Sequence, residues 1–137
     1  MIDKTEDVTC FDYLKNCKPD AYDQDIRGVM GKMLFQGDDA FKKISKLSGG
    51  ETARLIFAKL MLLENNVLIL DEPNNHLDLE SVAALIWGIE NFTGTVLIAA
   101  HDRDLIDNIA TRIIAFEKDG IHPFDGPLEE YIASKRA

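Results

Sequence analysis

The sequence has only two cysteines, Cys10 and Cys17, with no metal-site spacing and no histidines clustered near them. This argues against a disulfide scaffold or a zinc cluster and for two reduced, packing thiols. No apolar run approaches the ~20 residues needed to cross a bilayer, and the opening stretch MIDKTEDVTC is acidic where a secretory leader is basic and then apolar. A cytoplasmic chain without membrane spans is expected. Excess positive charge is also lacking: the formal net charge is -9, which disfavours indiscriminate attraction to nucleic acid or anionic lipid. There are no internal repeats, low-complexity tracts or flexible linkers. What is present is ordinary globular material, 137 residues at 46% hydrophobic and 28% charged, enough for the core of one domain.

Charge is distributed unevenly. Residues 1–50 carry 8 Lys+Arg against 9 Asp+Glu, residues 51–100 carry 2 against 7, and residues 101–137 carry 5 against 8. The acid excess coincides with the candidate chemistry, which suits a divalent cation and equally suits a solvated acidic face. Residues 5–45 lack β alternation and read as helices over TCFDYLKNC and AYDQDIRGVMGKMLF, with an amphipathic stripe at Ile26, Val29, Met30, Met33 and Leu34. Ser48 and Glu51 have capping-box spacing at the head of a helix whose apolar repeat is Ala53, Ile56, Leu60 and Leu63.

Beyond Asn65-Asn66 the pattern alternates between strand and helix. NVLILDE and GTVLIAAH read as strands apolar on both faces, separated by the helix DLESVAALIWGIENF, and DRDLIDNIA follows as a further helix. TRIIAFEKDGIHPFDG reads as two strands around Asp119-Gly120, and PLEEYIASK as a last helix with Pro127 in its first turn. Strands of this kind imply an α/β fold, a parallel sheet covered by helices, preceded by a helical layer. The division falls at residues 1–64, the helical part with the LSGGE loop and the helix after it, and residues 65–137, the α/β part.

Three short stretches carry the chemistry. VLILDEP delivers Asp71 and Glu72 to the carboxyl end of a buried strand, the edge where parallel sheets bind ligands. Adjacent acids there are costly unless a cation or hydrogen-bond donors meet them, although acids closing a strand also serve as helix caps. IAAHDRD ends the second strand with His101, whose imidazole could reach the same crevice, while a lone histidine is more often structural. LSGGE sets Ser48, Gly49, Gly50 and Glu51 at a helix N-terminus, where free N–H groups and two glycines suit an anion; an ordinary capping box reads the same way. Asp78 is a candidate N-cap for the following helix.

In this order and at these separations, LSGGE, VLILDEPNNHLD and AAHDRD resemble the signature loop, Walker B with D-loop, and switch histidine of ATP-binding cassette ATPases. The spelling DEPNNHLD followed by HDRD is most similar to the F-type branch, soluble proteins with two cassettes in one chain and roles at the ribosome. The resemblance implies a partial P-loop NTPase fold and an ATPase using ATP and Mg²⁺. It implies that Asp71 holds the metal, Glu72 polarises the attacking water and His101 contacts the γ-phosphate. Ser48, Gly49 and Gly50, with Glu51 and Asp78 beside them, would touch a nucleotide held by a second cassette. The family's usual threonine is replaced by Asn74, and the small hydroxyl before its histidine by Ala100.

One element of that family is missing. A P-loop requires G-x-x-x-x-G-K-[ST], and the only Gly-Lys pair, Gly31-Lys32, is followed by Met33 and preceded by Ile26 where the first glycine belongs. The sequence therefore reads as the carboxyl-terminal part of one cassette, inactive alone, with the N-terminal half of that cassette and a second cassette as partners, and with ribosome contact implied by resemblance only. An energising subunit of a membrane transporter and a non-catalytic interaction module are the alternatives. In the family's strand order the P-loop strand lies between the histidine strand and TRIIAF, so a gap or a collapsed register is expected there, with exposed edges that favour association.

Overall fold

The computed structural model describes residues 2–75 and 77–136. The two chain ends of the assignments above, Met1 and Ala137, and His76 of the NNHLD turn lie outside the described residues. The chain runs α1 (Cys10–Cys17), α2 (Asp23–Lys32), two 3₁₀ turns (Gly37–Phe41 and Ile44–Lys46), α3 (Gly49–Leu62), β1 (Val67–Asp71), α4 (Leu79–Glu90), β2 (Thr95–Ala99), α5 (Arg103–Ile109), β3 (Arg112–Glu117), β4 (Gly120–Asp125) and α6 (Leu128–Arg136).

The first three helices pack on one another around side chains that lose nearly all contact with water, among them Cys10, Leu14, Ile26, Met30, Met33, Ile44, Leu55, Ala58 and Leu62. Burying a side chain of this size is worth roughly 1.5–3 kcal/mol, so this cluster stabilises the helical layer. Both cysteines are free thiols, and burial together with the nearby Glu51 charge pushes the Cys10 thiol up to about 11. Along α2 and its C-cap the stripe Ile26, Met30 and Met33 is fully buried as its spacing predicts, and Val29 packs against it. Leu34 departs from that stripe: it lies past the helix end in a left-handed backbone conformation, φ 64°, and is 38% exposed.

In α3 the buried face is Leu55, Ala58 and Leu62, not the predicted Ala53, Ile56, Leu60 and Leu63. The segment RLIFAKLMLL is apolar on every side, so periodicity cannot select a face; contact with α1 and α2 does, and Leu63 ends as an exposed C-cap. The remaining faces of α3 are half-buried, with α4 packed alongside.

β1 and β2 form a parallel pair, registered from Val67 opposite Thr95 to Asp71 opposite Ala99, and β3 and β4 form an antiparallel hairpin. A side chain at Gly94 would meet the Asn66 carbonyl oxygen at 2.2 Å, and that carbonyl accepts from the Thr95 amide at 2.9 Å. The chain can therefore enter β2 this close to β1 only without a β-carbon. No ladder joins β2 to β3 among the described residues, as the gap expectation required. The expectation of strands covered on both faces is corrected: Leu68 is buried, but Val67, Ile69 and Leu97 are 52%, 78% and 49% exposed. Among the described residues, burial alternates along the parallel pair, so one of its faces is shielded and the other is open to water.

Candidate functional site: a carboxylate and imidazole rim

Parallel pairing carries the ends of β1 and β2 to the same edge, because strands running in one direction finish together. Asp71 is opposite Ala99, and the next amide, that of Glu72, donates to the Ala99 carbonyl at 2.7 Å. Glu72 sits at φ 45°, a left-handed conformation that costs a non-glycine residue about 1–2 kcal/mol. The turn turns its side chain partly inward, 26% exposed, with Oε1 3.4 Å from Nε2 of His101. His101 itself is 98% exposed at its side chain, and Asp71 is exposed. Asp71, Glu72 and His101 thus occupy one rim of the fold, with the carboxylate of Glu72 and the imidazole of His101 side by side.

Two residues that the sequence reading left without a role connect this rim. The Asn74 side-chain amide donates to Oδ2 of Asp102 at 3.0 Å, and Oδ1 of the same Asp102 accepts from the Leu105 amide at 3.1 Å, capping α5. The cap could have been found from the spacing of Asp102 ahead of Leu105. The bond from Asn74 carries no local signal.

The LSGGE loop folds as its spacing predicts. Ser48 Oγ accepts from the Glu51 amide at 3.1 Å, and Glu51 Oε2 accepts from the Ser48 amide at 2.8 Å, a complete capping box. Lys42 reaches Glu51 Oε1 at 2.8 Å; this bond, and then the Ser48 amide, hold the Glu51 carboxyl below its usual range. The Gly49 and Gly50 amides take no part in the box. Gly49 has open space where a side chain would be, whereas a β-carbon on Gly50 would lie 2.9 Å from Ser81 Oγ and 3.4 Å from Asp78 Oδ2. The heads of α3 and α4 therefore touch, with Ser81 fully buried between them.

Asp78 is the N-cap of α4, accepting from the Ser81 amide at 2.8 Å. The Ser81 hydroxyl and amide, with Arg54 further off, hold its carboxyl low. That hydroxyl is near Asp78 but completes no hydrogen bond of good geometry. Of the predicted residues, Ser48, Gly49, Gly50, Glu51 and Asp78 form this second group, separate from the first.

The donor set of the rim is hard oxygen, from Asp71 and Glu72, which suits Mg²⁺ completed by phosphate oxygens and water. The glycine amides at the head of a 14-residue helix suit an anion. The chain's Gly-Lys pair, Gly31 and Lys32, lies in α2, with the Lys32 ammonium 5.2 Å from the centre of the Trp87 ring. A groove of about 710 Å³ between α5 and α6, lined by Arg103, Asp104, Glu129 and Arg136 among others, contains none of the predicted residues. No helix among the described residues is long and apolar enough to cross a membrane.

Comparison with known proteins identifies the family and the fold. The family model described as "ABC transporter" matches residues 4–75, which include the LSGGE loop and both rim acids. The chain is 40% identical over 125 residues to "ABC transporter F family member 5" of Arabidopsis thaliana, covering 91% of this chain and 17% of that protein. It is also 40% identical over 111 residues to "Energy-dependent translational throttle protein EttA" of Escherichia coli O6:H1, covering 80% of this chain and 20% of that protein. Among solved structures, "RNase-L Inhibitor" superposes with a TM-score of 0.70 at 23% identity, over 98% of this chain and 28% of that one, a likeness of fold. The chain spans about a quarter or less of the length of the curated relatives it matches.

Proposed function

Since the chain belongs to the ATP-binding cassette family, with an F-family member among its relatives, we propose that it supplies the hydrolytic rim and signature loop of a soluble, cytoplasmic ATPase acting in translation. The observation that carries this reading is the meeting of Glu72 and His101, at 3.4 Å, on the rim where Asp71 ends β1. Residues 1–64 act as the helical lobe and residues 65–137 as the α/β lobe of one partial cassette.

In this reading Asp71 holds magnesium through its shell, and the metal, when bound, neutralises charge on the phosphates. Glu72 orients the attacking water and accepts its proton, for which a partly enclosed carboxylate beside an imidazole is suited. His101, almost wholly exposed, hydrogen-bonds the γ-phosphate. Ser48 and the amides of Gly49 and Gly50 contact a nucleotide held by a second cassette, with Glu51 and Asp78 fixing the loop that presents them. ATP bound by this cassette's own half needs a P-loop from another polypeptide segment, so the isolated chain is inactive. The part in translation is supported by the name of one relative, the translational throttle protein.

The test is MgATP hydrolysis by the chain alone and after assembly with a P-loop-bearing segment and a second cassette. Turnover is expected only in the assembled form, and Glu72→Gln should abolish it while ATP stays bound. Full turnover by the Glu72→Gln variant would refute the role given to Glu72, and micromolar ATP binding by the pure chain would refute the missing cradle.

A further inference from the structure

His101 has a positioning problem. Its side chain is 98% exposed, so no packing fixes it, and its contact with Glu72, at 3.4 Å, is too long to hold it. Strand pairing ends before it: the last β1–β2 partners are Asp71 and Ala99, and the last backbone tie across the gap is the Glu72 amide to Ala99. The next fixed point is Asp102, the residue immediately after His101. One of its carboxylate oxygens caps α5 and the other receives the Asn74 amide at 3.0 Å. Asn74 is two residues past Glu72, in a turn closed by the Asn75 amide donating to the Glu72 carbonyl at 3.2 Å. The other end of the Asn74 side chain, Oδ1, is buried without a partner among the described residues, so only its donor end is used.

We propose that Asn74 is a positioning residue: its bond to Asp102 clamps the turn carrying His101 onto the turn carrying Glu72 and so sets the imidazole beside the carboxylate. This deepens the hydrolytic reading above and rests on it for its functional meaning. A single bond of this kind, spanning 28 residues of sequence, is the only side-chain hydrogen bond between the two turns among the described residues. A threonine at this position, as the family pattern has it, carries its hydroxyl on a shorter arm; an asparagine reaches further and donates to a carboxylate, a stronger partner than a neutral acceptor.

The experiment uses the chain itself, with nuclear Overhauser contacts measured between the His101 ring protons and the Glu72 side chain. The contact is expected in the native chain and lost in Asn74→Asp, which replaces the donor with a second anion facing Asp102. It should return in the double variant Asn74→Asp with Asp102→Asn, where donor and acceptor are exchanged and asparagine still caps α5. Asn74→Ala serves as the milder variant if Asn74→Asp unfolds, and is expected to lose the contact with the fold intact. Absence of the contact in the native chain, its survival in folded Asn74→Asp or Asn74→Ala, or its failure to return in the exchanged pair would each overturn the proposal. In the assembled ATPase, Asn74→Asp should lower kcat roughly tenfold to a hundredfold at nearly unchanged KM. If Glu72→Gln turns over normally while the contacts behave as stated, the hydrolytic reading fails and the clamp stands; if Glu72→Gln is inactive and the contact ignores Asn74, the clamp alone fails.

Discussion

Replacing Gly50 by alanine tests the contact between the heads of α3 and α4. Two effects oppose each other. Alanine favours the first turn of a helix over glycine by roughly 0.5–1 kcal/mol. Against that, the new methyl would lie 2.9 Å from Ser81 Oγ, 3.4 Å from Asp78 Oδ2 and 3.8 Å from Asp78 Cγ. Ser81 has no exposed surface into which to retreat, and Asp78 is held by its capping bond. Overpacking a site of this kind costs about 1–3 kcal/mol, so steric conflict wins and Gly50→Ala should be less stable by about 1–2 kcal/mol.

Gly49 provides the control, one residue earlier in the same helix with nothing within 4 Å of its added carbon; Gly49→Ala should be neutral or slightly stabilising. In urea denaturation, with a slope of about 1–3 kcal/mol per molar for a small domain, the Gly50→Ala midpoint should fall by ~0.5–1 M at unchanged slope. Adding Ser81→Ala removes the obstructing oxygen and should recover most of the loss. Equal midpoints for the two glycine variants, or no recovery with Ser81→Ala, would refute the account of how the two helix heads meet.

Two further outcomes follow from the geometry. Glu51 has a folded-state carboxyl held below its ordinary 4.5, so the stability it contributes is complete above that value and is lost as pH falls through the lowered one. The midpoint difference between the native chain and Glu51→Gln, clear at neutral pH, should therefore shrink and vanish on acidification; a difference that persists in strong acid would contradict the Lys42 and Ser48 bonds as its cause. Because Glu72 is held at a positive φ, Glu72→Gly should be more stable than Glu72→Ala by about 1 kcal/mol, the reverse of their usual order. Thermal melts of the pair would show the usual order if the backbone there were relaxed.

Local spacing made much of this legible. Ser48 and Glu51 announce a capping box because its bonds span only three residues, and the apolar runs ending in Asp71 and Ala99 announce strands that finish at an α/β edge. Other features depend on what a segment meets. In α3 every side is apolar, so the choice of Leu55, Ala58 and Leu62 as the inner face depends on α1 and α2. Val67 and Ile69 read as buried because they are greasy; their exposure reflects the lack of a covering layer among the described residues, which periodicity does not report. The bond from Asn74 to Asp102 joins two turns far apart in sequence, and the positive φ of Glu72 falls on a residue type that does not announce it. The candidate residues were thus readable one by one, while what orients them toward each other was not.

Among the described residues β2 and β3 share no ladder, and α5 is the element of the chain that lies between them in sequence. A strand entering between them would meet edge rows of N–H and C=O groups that no ladder occupies among the described residues, so its insertion resembles closing a zipper more than exchanging partners. The same openness makes any extended peptide, including a second copy of the chain, a competitor for those rows, and dilution is the simplest way to keep them clear.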